Sequence, residues 1–158
     1  MKQTHDGGCA CGAVRIRVHG APIVVHCCHC TICQRLGGSA FATNALIEAD
    51  RLEVIRGEAV ETRAPAGSTP DARPVFRCEA CGSALWSHRP SFGERLRIFR
   101  VGVMDEPDLF SPDIHIFTAH KAAWVAIPDG LPWFETAYDP ADVLTDEQRA
   151  RIEAAQAD

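Results

Sequence analysis

Short stretches of alternating apolar and polar residues dominate the chain. Val14, Ile16 and Val18 alternate with polar positions, which is the period of a half-buried β-strand. Further stretches of strand character lie between glycine and proline turns, at residues 23–26, 40–48, 52–55, 58–63, 83–87, 95–103 and 114–117. The pattern predicts a hairpin between 52–55 and 58–63, and an exposed loop over the proline-rich residues 64–74.

Helical signals are confined to two places. Residues 31–36 can form one helical turn, which Gly37-Gly38 would end. Thr145, with Gln148 three residues later, has the form of a capping box before a run of strong helix formers. The apolar face of this last helix is poor, so we expect it on the surface. The chain is therefore predicted to be mainly β, with one domain over residues 1–140 and a C-terminal surface helix or tail over 141–158.

Composition narrows the classes of function. A chain of 158 residues suits one domain, and a net charge of −5 without any basic run argues against nucleic-acid binding. The start has no apolar signal segment and no run approaches transmembrane length, so we expect no membrane partner and a cytoplasmic location. In that reducing compartment eight cysteines indicate metal ligands rather than disulfides.

The eight cysteines fall into three clusters along the chain. They are Cys9 and Cys11; Cys27, Cys28, Cys30 and Cys33; and Cys78 and Cys81. Zinc takes cysteine sulfur in tetrahedral geometry with Zn–S distances near ~2.3 Å. The first and last pairs together make a four-cysteine set, which would be coordinatively full and therefore structural.

The central cluster offers three ligands on one side. In an extended strand, residues i and i+2 share a face, so Cys28 and Cys30 can converge on one ion, and a turn brings back Cys33. The same alternation places Cys27 on the opposite face, beside His29. A zinc ion with three protein ligands keeps one position open for chemistry.

Other interpretations of these residues stay open. The pairs could be redox or core cysteines. Cys27, Cys30 and Cys33 have the spacing of an iron–sulfur run, but Gly37 stands where its fourth cysteine would be. All four central cysteines could also form one structural site if the strand bends at Cys27. Arg35 is a candidate clamp for a substrate carboxylate or a solvated surface residue. The histidines are satisfied side chains or general bases; those considered are His26, His29, His115 and His120.

The three cysteine motifs together resemble the glutathione-dependent formaldehyde-activating enzyme family, also called the GFA or centromere protein V domain family. The matching stretches are residues 8–15, the run Cys28-His29-Cys30-Thr31-Ile32-Cys33 with residues 38–41, and residues 76–83. Residues 115–117, 121–124 and 129–135 look like the family's C-terminal pattern. Gln34 and the additional Cys27 depart from that pattern.

The resemblance implies a zinc-dependent carbon–sulfur lyase. Its fold would be one zinc-binding domain of several short coiled antiparallel sheets, similar to the Rab-exchange-factor-like (Mss-four-like) zinc fold. By match to the family motifs, the structural zinc would be held by Cys9, Cys11, Cys78 and Cys81, and the catalytic zinc by Cys28, Cys30 and Cys33. This partition agrees with the one reached from coordination alone.

The expected reaction joins a thiol to an aldehyde. Coordination to the open zinc would lower the pKa of the thiol, and glutathione is the expected thiol and cosubstrate. Addition to an aldehyde such as formaldehyde would give S-hydroxymethylglutathione reversibly. The expected cofactors are two zinc ions per chain, and the expected partners are small molecules. The alternative is a zinc-stabilised binding module without catalysis, in which the Cys28 site is full.

Overall fold

The computed structural model describes residues 3–66 and 72–157, and this part of the chain is mainly β, as predicted. Its strands are β1 (Thr4–Gly8), β2 (Arg15–His19), β3 (Val24–Cys28), β4 (Ala42–Glu48), β5 (Leu52–Arg56), β6 (Ala59–Ala64), β7 (Arg73–Cys78), β8 (Ala84–Ser87), β9 (Leu96–Arg100) and β10 (Ile114–Ile116). Its α-helices are α1 (Thr31–Gly37), α2 (Pro140–Val143) and α3 (Asp146–Gln156). None of these helices is long and apolar enough to cross a bilayer.

The described strands form two sheets. The smaller has the order β1-β2-β5 and is antiparallel. The larger has the order β10-β3-β4-β9-β8-β7-β6, and its neighbours are antiparallel except for β10, which runs parallel to β3. β3 and β10 are neighbours in the sheet, but the chain between them forms the other strands of this sheet. The strand that leads into the central cysteine cluster is therefore paired with a strand from a distant part of the chain.

The predicted hairpin between residues 52–55 and 58–63 is wrong. β5 pairs with β2, whereas β6 pairs with β7 in the other sheet. Gly57 allows this change of sheet because it has φ of 71° and packs against the backbone, where a Cβ atom would lie 2.2 Å from the carbonyl oxygen of Ala13. The predicted loop over 64–74 is shorter than expected, since β6 ends at Ala64 and β7 begins at Arg73. Part of that loop, residues 67–71, lies outside the described residues.

The larger sheet curves strongly around the central cysteines. Cys28 on β3 and Val75 on β7 belong to one buried cluster, although β4, β9 and β8 lie between their strands in the sheet. Both faces of β4 are covered, since four consecutive residues, 44–47, are buried. The curvature brings side chains from strands remote in sheet order to the same point, which is where the central cysteines lie.

The C-terminal helix α3 is docked on this sheet. Ile152 packs against the apolar cluster that contains Leu46, and the Arg151 guanidinium pairs with Glu48 of β4 at 2.7 Å. The Gln148 side chain donates to the carbonyl oxygen of Ile23 at 2.6 Å. The predicted capping box of Thr145 and Gln148 is present. Docking thus depends on polar tethers as much as on apolar burial.

Candidate metal centres and active site

The first and last cysteine pairs meet in one cluster. Cys9 and Cys11 lie in the turn between β1 and β2, while Cys78 ends β7 and Cys81 follows in the turn to β8. Their four Sγ atoms all lie within 4.8 Å of one another, with 3.6 Å between Cys9 and Cys11 and 3.8 Å between Cys11 and Cys78. Tetrahedral ligands at the zinc–sulfur distance are about 3.8 Å apart. The spacing of the donors therefore fits a zinc ion.

The backbone of both turns supports the four sulfur atoms. Gly12 and Gly82 follow the two motifs with φ of 75° and 74°, a left-handed conformation that glycine adopts without strain. The Val14 N–H donates to Cys9 Sγ at 3.2 Å. Hydrogen bonding from Ser83 lowers the pKa of Cys81 to about 5. A thiolate at this position is the form that binds metal.

The central cluster forms where β3 passes into α1. Cys28 is the last residue of β3, Cys30 caps the N-terminus of α1, and Cys33 lies in the first turn of that helix. Their three Sγ atoms also lie within 4.8 Å of one another, and all three side chains are buried. Cys30 accepts a hydrogen bond from the Cys33 N–H at 3.3 Å as the helix cap. A strand end followed by a helix start, rather than a continuous strand, brings the three sulfur atoms together.

Cys33 lies among hydrogen-bond donors from three strands. Asn44 Nδ2 is 3.5 Å from its sulfur, and Arg73 Nη2 and Arg100 Nη1 are each 3.7 Å away. The pKa of Cys33 is far below its usual range, first because Cys28 and Cys30 donate hydrogen bonds to it and then because Arg100 and Arg73 attract its charge. Hydrogen bonding within the cluster raises the pKa of Cys28. Cys33 is therefore the thiol of this cluster that ionises most readily.

A second buried set lies on the opposite face of β3. Cys27 Sγ is 3.6 Å from His29 Nε2, which is 3.0 Å from His115 Nδ1. Strand alternation predicts that Cys27 lies beside His29, and His115 joins them because it is the partner of Cys27 in the parallel β3–β10 pair. The three donor atoms lie within 4.8 Å of one another, a spacing that a metal could bridge. Burial raises the pKa of Cys27 to about 12, which keeps this thiol protonated at neutral pH.

A cavity of about 100 Å³ opens beside the central cluster. Cys28 and Cys30 line it, whereas Cys33 does not. At another point of its wall, His26 Nε2 and the Tyr138 hydroxyl are 2.7 Å apart. Burial raises the pKa of Tyr138, so its hydroxyl is protonated and able to donate. The cavity gives a small molecule a route to the two sulfur atoms.

Two residues that the sequence singled out beside the cluster do not line this cavity. Arg35 is exposed in the last turn of α1 and is not part of the cavity wall in the described structure. Gln34 donates from Nε2 to the carbonyl oxygens of His29 and His120, at 2.7 and 2.8 Å. Gln34 thus connects α1 to the segment after β10.

The residues around Cys33 were not predicted from the sequence. Asn44 directly precedes three apolar residues, 45–47, in a strand-like stretch, and this position is a signal for a buried polar role. Arg73 and Arg100 carry no such signal, since arginine at a strand position usually points to solvent. The curvature of the larger sheet, which the sequence does not reveal, brings them to Cys33.

The described chain is a mainly β domain with two cysteine clusters that can each hold a metal ion, one of them open to a cavity. Residues 4–120 match the family described as glutathione-dependent formaldehyde-activating enzyme. The chain belongs to this family, as its three cysteine motifs predict.

A relative of similar sequence agrees with this family assignment. A protein of Halomonas elongata, named "Putative glutathione-dependent formaldehyde-activating enzyme", is 34% identical over 128 residues, which are 77% of this chain and 80% of that protein. A crystal structure of a Rhodobacter sphaeroides protein has a TM-score of 0.48 and 22% identity, covering 68% of this chain and 96% of that one.

Proposed function

We propose that the protein is a zinc-dependent carbon–sulfur lyase that adds glutathione reversibly to formaldehyde, giving S-hydroxymethylglutathione. One observation carries this proposal: the three-cysteine cluster reaches a cavity through Cys28 and Cys30, while the third sulfur faces the arginines. A cluster with one position open is what a thiol needs in order to bind. Membership of the family supports both substrates.

The residues of the central cluster fit a zinc ion. Three buried thiol groups at mutual distances below 4.8 Å are a soft donor set of the kind zinc prefers. Cys28, Cys30 and Cys33 would hold the ion. When bound, it would accept the glutathione sulfur as its fourth ligand and keep that sulfur as a thiolate at neutral pH.

Charge balance explains the two arginines beside Cys33. Three thiolates and a divalent ion carry a net charge of −1, and an incoming thiolate makes it −2. Arg73 and Arg100 place two positive charges 3.7 Å from Cys33 Sγ and offset that charge. A buried anionic site is costly unless it is paired in this way. These guanidinium groups therefore lower the electrostatic cost of adding the incoming thiolate to the site.

The reaction itself requires positioning more than acid–base chemistry. The thiol loses its proton to solvent, its sulfur forms a bond to the carbonyl carbon, and the carbonyl π pair moves to oxygen, which takes a proton from water. The net reaction combines one thiol and one aldehyde without an oxidant or a further reactant. The contribution of the protein is to hold the two reacting atoms together in the cavity.

The proposal is tested by exchange kinetics in Cys30→Ser. NMR exchange spectroscopy measures interconversion of glutathione and S-hydroxymethylglutathione in the presence of formaldehyde. We expect the native protein to accelerate exchange over the uncatalysed rate and Cys30→Ser to leave it at that rate while remaining folded. Cys27→Ser, which changes a buried cysteine outside the cavity, is the matched control and should retain acceleration. Equal exchange rates for the native protein and Cys30→Ser would refute the proposal.

A further inference from the structure

The cavity beside Cys28 and Cys30 fits a very small ligand. Its volume is about 100 Å³. An apolar cavity of about 150 Å³ is filled by benzene, so this cavity has room for about four non-hydrogen atoms. A sulfur atom bonded to the carbon of formaldehyde, together with the formaldehyde oxygen, needs three. The cavity therefore has space for the reacting atoms of the proposed adduct and for little else.

The charged residues that line this cavity are all basic. They are Arg73, Arg89 and Arg100, and no acidic side chain lines the cavity in the described part of the chain. Arg73 and Arg100 lie beside the sulfur of Cys33 and would offset the charge of a zinc cluster that has bound a thiolate. The guanidinium carbon of Arg89 instead lies over the ring of Phe92, 5.1 Å from its centroid. One positive charge of the wall therefore remains for a further anionic group.

A hydroxyl group stands in the same wall. The Tyr138 hydroxyl lies 2.7 Å from His26 Nε2, and both residues line the cavity. Burial raises the pKa of Tyr138, with a smaller contribution from the charge of Asp113, so the hydroxyl keeps its proton at neutral pH. When the imidazole donates to the phenol oxygen, the hydroxyl hydrogen is free to point into the cavity. An anionic oxygen in the cavity would accept that hydrogen bond.

The fold places this hydroxyl close to a cysteine of the cluster and to Arg89. His26 and Cys28 are two residues apart on β3, and both line the cavity from the same face of the strand. Residues at this spacing are about 7 Å apart along a strand. Burial and the charge of Arg89 lower the pKa of His26 to about 4, which indicates that this guanidinium group is near the His26–Tyr138 pair. A hydrogen-bond donor and a cation therefore lie together in a small cavity that Cys28 also lines.

We propose that Tyr138 and Arg89 form an oxyanion site, which stabilises the negative oxygen that forms when glutathione adds to formaldehyde. The Tyr138 hydroxyl donates a hydrogen bond to this oxygen, and the Arg89 guanidinium group supplies a positive charge. The bonds made and broken are those already given, and the oxygen still takes its proton from water. This catalytic role rests on the proposed function, but binding of a small anion at the same site does not. The match to the family ends at residue 120, so Tyr138 lies outside it.

Anion binding is tested with formate, which has three non-hydrogen atoms and is not attacked by thiols. Titration of the zinc-loaded protein with isotopically labelled formate, followed by NMR, should show saturable binding. Tyr138→Phe and Arg89→Gln should each raise the Kd about 10-fold, since each removes a group that contacts the anion. Arg63→Gln removes an exposed arginine of β6 outside the cavity and should leave the Kd unchanged. Absence of saturable binding would overturn the proposal, and so would a native Kd in either cavity variant, because formate would then bind elsewhere, for example on the metal alone.

The catalytic role of Tyr138 is tested by comparing thiol binding with turnover. At saturating glutathione, Tyr138→Phe should reduce the acceleration of exchange about 10- to 100-fold, the loss expected for one hydrogen bond to a charged oxygen. The Kd for glutathione, measured from the spectrum of the cobalt-substituted protein, should not change, because the hydroxyl contacts the aldehyde oxygen and not the thiol. Exchange at the native rate would overturn the proposal, and so would an equal loss of glutathione affinity, which would indicate a packing role.

The two measurements separate this inference from the proposed function. If formate binding depends on Tyr138 and Arg89 but the native protein does not accelerate exchange, the proposed function fails and the anion site stands. If the native protein accelerates exchange and both variants exchange at the native rate, the proposed function stands and this inference fails. Should Tyr138→Phe not fold, Arg89→Gln provides the same comparison of anion binding, thiol binding and exchange.

Discussion

Cys33 is the residue on which the electrostatics of the central cluster depend. Its sulfur has the Asn44 amide and two guanidinium groups within 3.7 Å, from three different strands. Cys28 and Cys30 line the cavity, as do Asn44, Arg73 and Arg100, whereas Cys33 does not. The sulfur that these polar groups contact is therefore the one that a small molecule in the cavity does not reach.

Arg100→Gln should weaken metal binding at the central cluster alone. Without this cation the pKa of Cys33 rises, because one of the groups that lower it is gone. The contribution of the Cys33 thiolate to metal affinity is present above its pKa and is lost as pH falls through that pKa. Because this pKa is higher in Arg100→Gln, the variant should release the metal at a higher pH than the native protein. Affinity should fall about 10-fold, as for other groups that contact metal ligands.

A chelator titration with metal detection measures this effect. One metal equivalent per chain should leave more readily from Arg100→Gln and the other should be unaffected. Arg63→Gln, on an exposed position of β6, is the control. Equal affinity in Arg100→Gln and the native protein would show that this arginine does not act on the cluster.

The set of Cys27, His29 and His115 should bind no metal when the two cysteine clusters are loaded. Burial raises the pKa of Cys27 to about 12, and among the described contacts its sulfur meets His29 and no guanidinium group, whereas Arg73 and Arg100 lie beside Cys33. Elemental analysis of metal-saturated protein should give two zinc ions per chain, and Cys27→Ala should give the same count. A third equivalent that disappears in Cys27→Ala would contradict this.

At the scale of elements, the two cysteine clusters have different structural effects. The four-cysteine cluster connects the β1–β2 turn to the β7–β8 turn and so joins the two sheets. Cys11 and Cys78 are 67 residues apart in the chain, so a metal there closes a long loop. The three-cysteine cluster lies within one strand–helix connection and constrains little beyond it.

Cys78→Ser should therefore be far more destabilising than Cys30→Ser. Loss of a structural metal ligand is among the most costly single changes, and we expect about 4 kcal/mol or more for Cys78→Ser. Cys30→Ser should cost clearly less and act mainly on activity. Denaturant unfolding of both zinc-loaded variants provides the comparison, and similar losses of stability would contradict the division into structural and catalytic clusters.

The Glu48–Arg151 ion pair should anchor α3 in a pH-dependent way. Burial acts to raise the pKa of Glu48, but the hydrogen bond and charge of Arg151, a backbone hydrogen bond and the charge of Arg51 together outweigh it, so the pKa is lowered. Its contribution is therefore present above the pKa of an unfolded glutamate and is lost as pH falls through the lower, folded value. Glu48→Gln should cost about 1 to 3 kcal/mol at neutral pH.

Unfolding measured at neutral and acidic pH tests this anchor. The difference in stability between the native protein and Glu48→Gln should shrink as pH falls below 4.5, the ordinary pKa of glutamate. Glu61→Gln, on an exposed position of β6, serves as the control. A difference that stays constant with pH would mean that the charge of Glu48 is not involved.

Local signals in the sequence predicted elements better than their partners. The capping box at Thr145 correctly marked the start of α3, because its hydrogen bonds lie within four residues. Docking of α3 on the sheet was not predicted. It depends on Arg151 and Gln148, which are polar, and an analysis of apolar positions assigns polar residues to the solvent-exposed face of a helix. The hairpin at Gly57 was predicted wrongly for a related reason: sequence adjacency favours pairing, whereas the partner of β5 is the distant strand β2.

At the scale of the whole molecule, the candidate site combines a local motif with distant parts of the chain. The spacing of Cys28, Cys30 and Cys33 was sufficient to predict that their sulfur atoms converge. The arginines at Cys33 and the cavity wall at Tyr138 depend on how the larger sheet curves and where the C-terminal segment packs. Such contacts follow from tertiary structure, so a single sequence does not reveal them.

The most direct test is the absorption spectrum of the cobalt-substituted protein with and without glutathione. Cobalt in a cysteine site has visible bands that depend on its ligands. With two cobalt ions per chain, we expect a saturable change in these bands as glutathione takes the fourth position on the ion held by Cys28, Cys30 and Cys33. Bands that do not respond to saturating glutathione would show that the site is closed and would contradict the account.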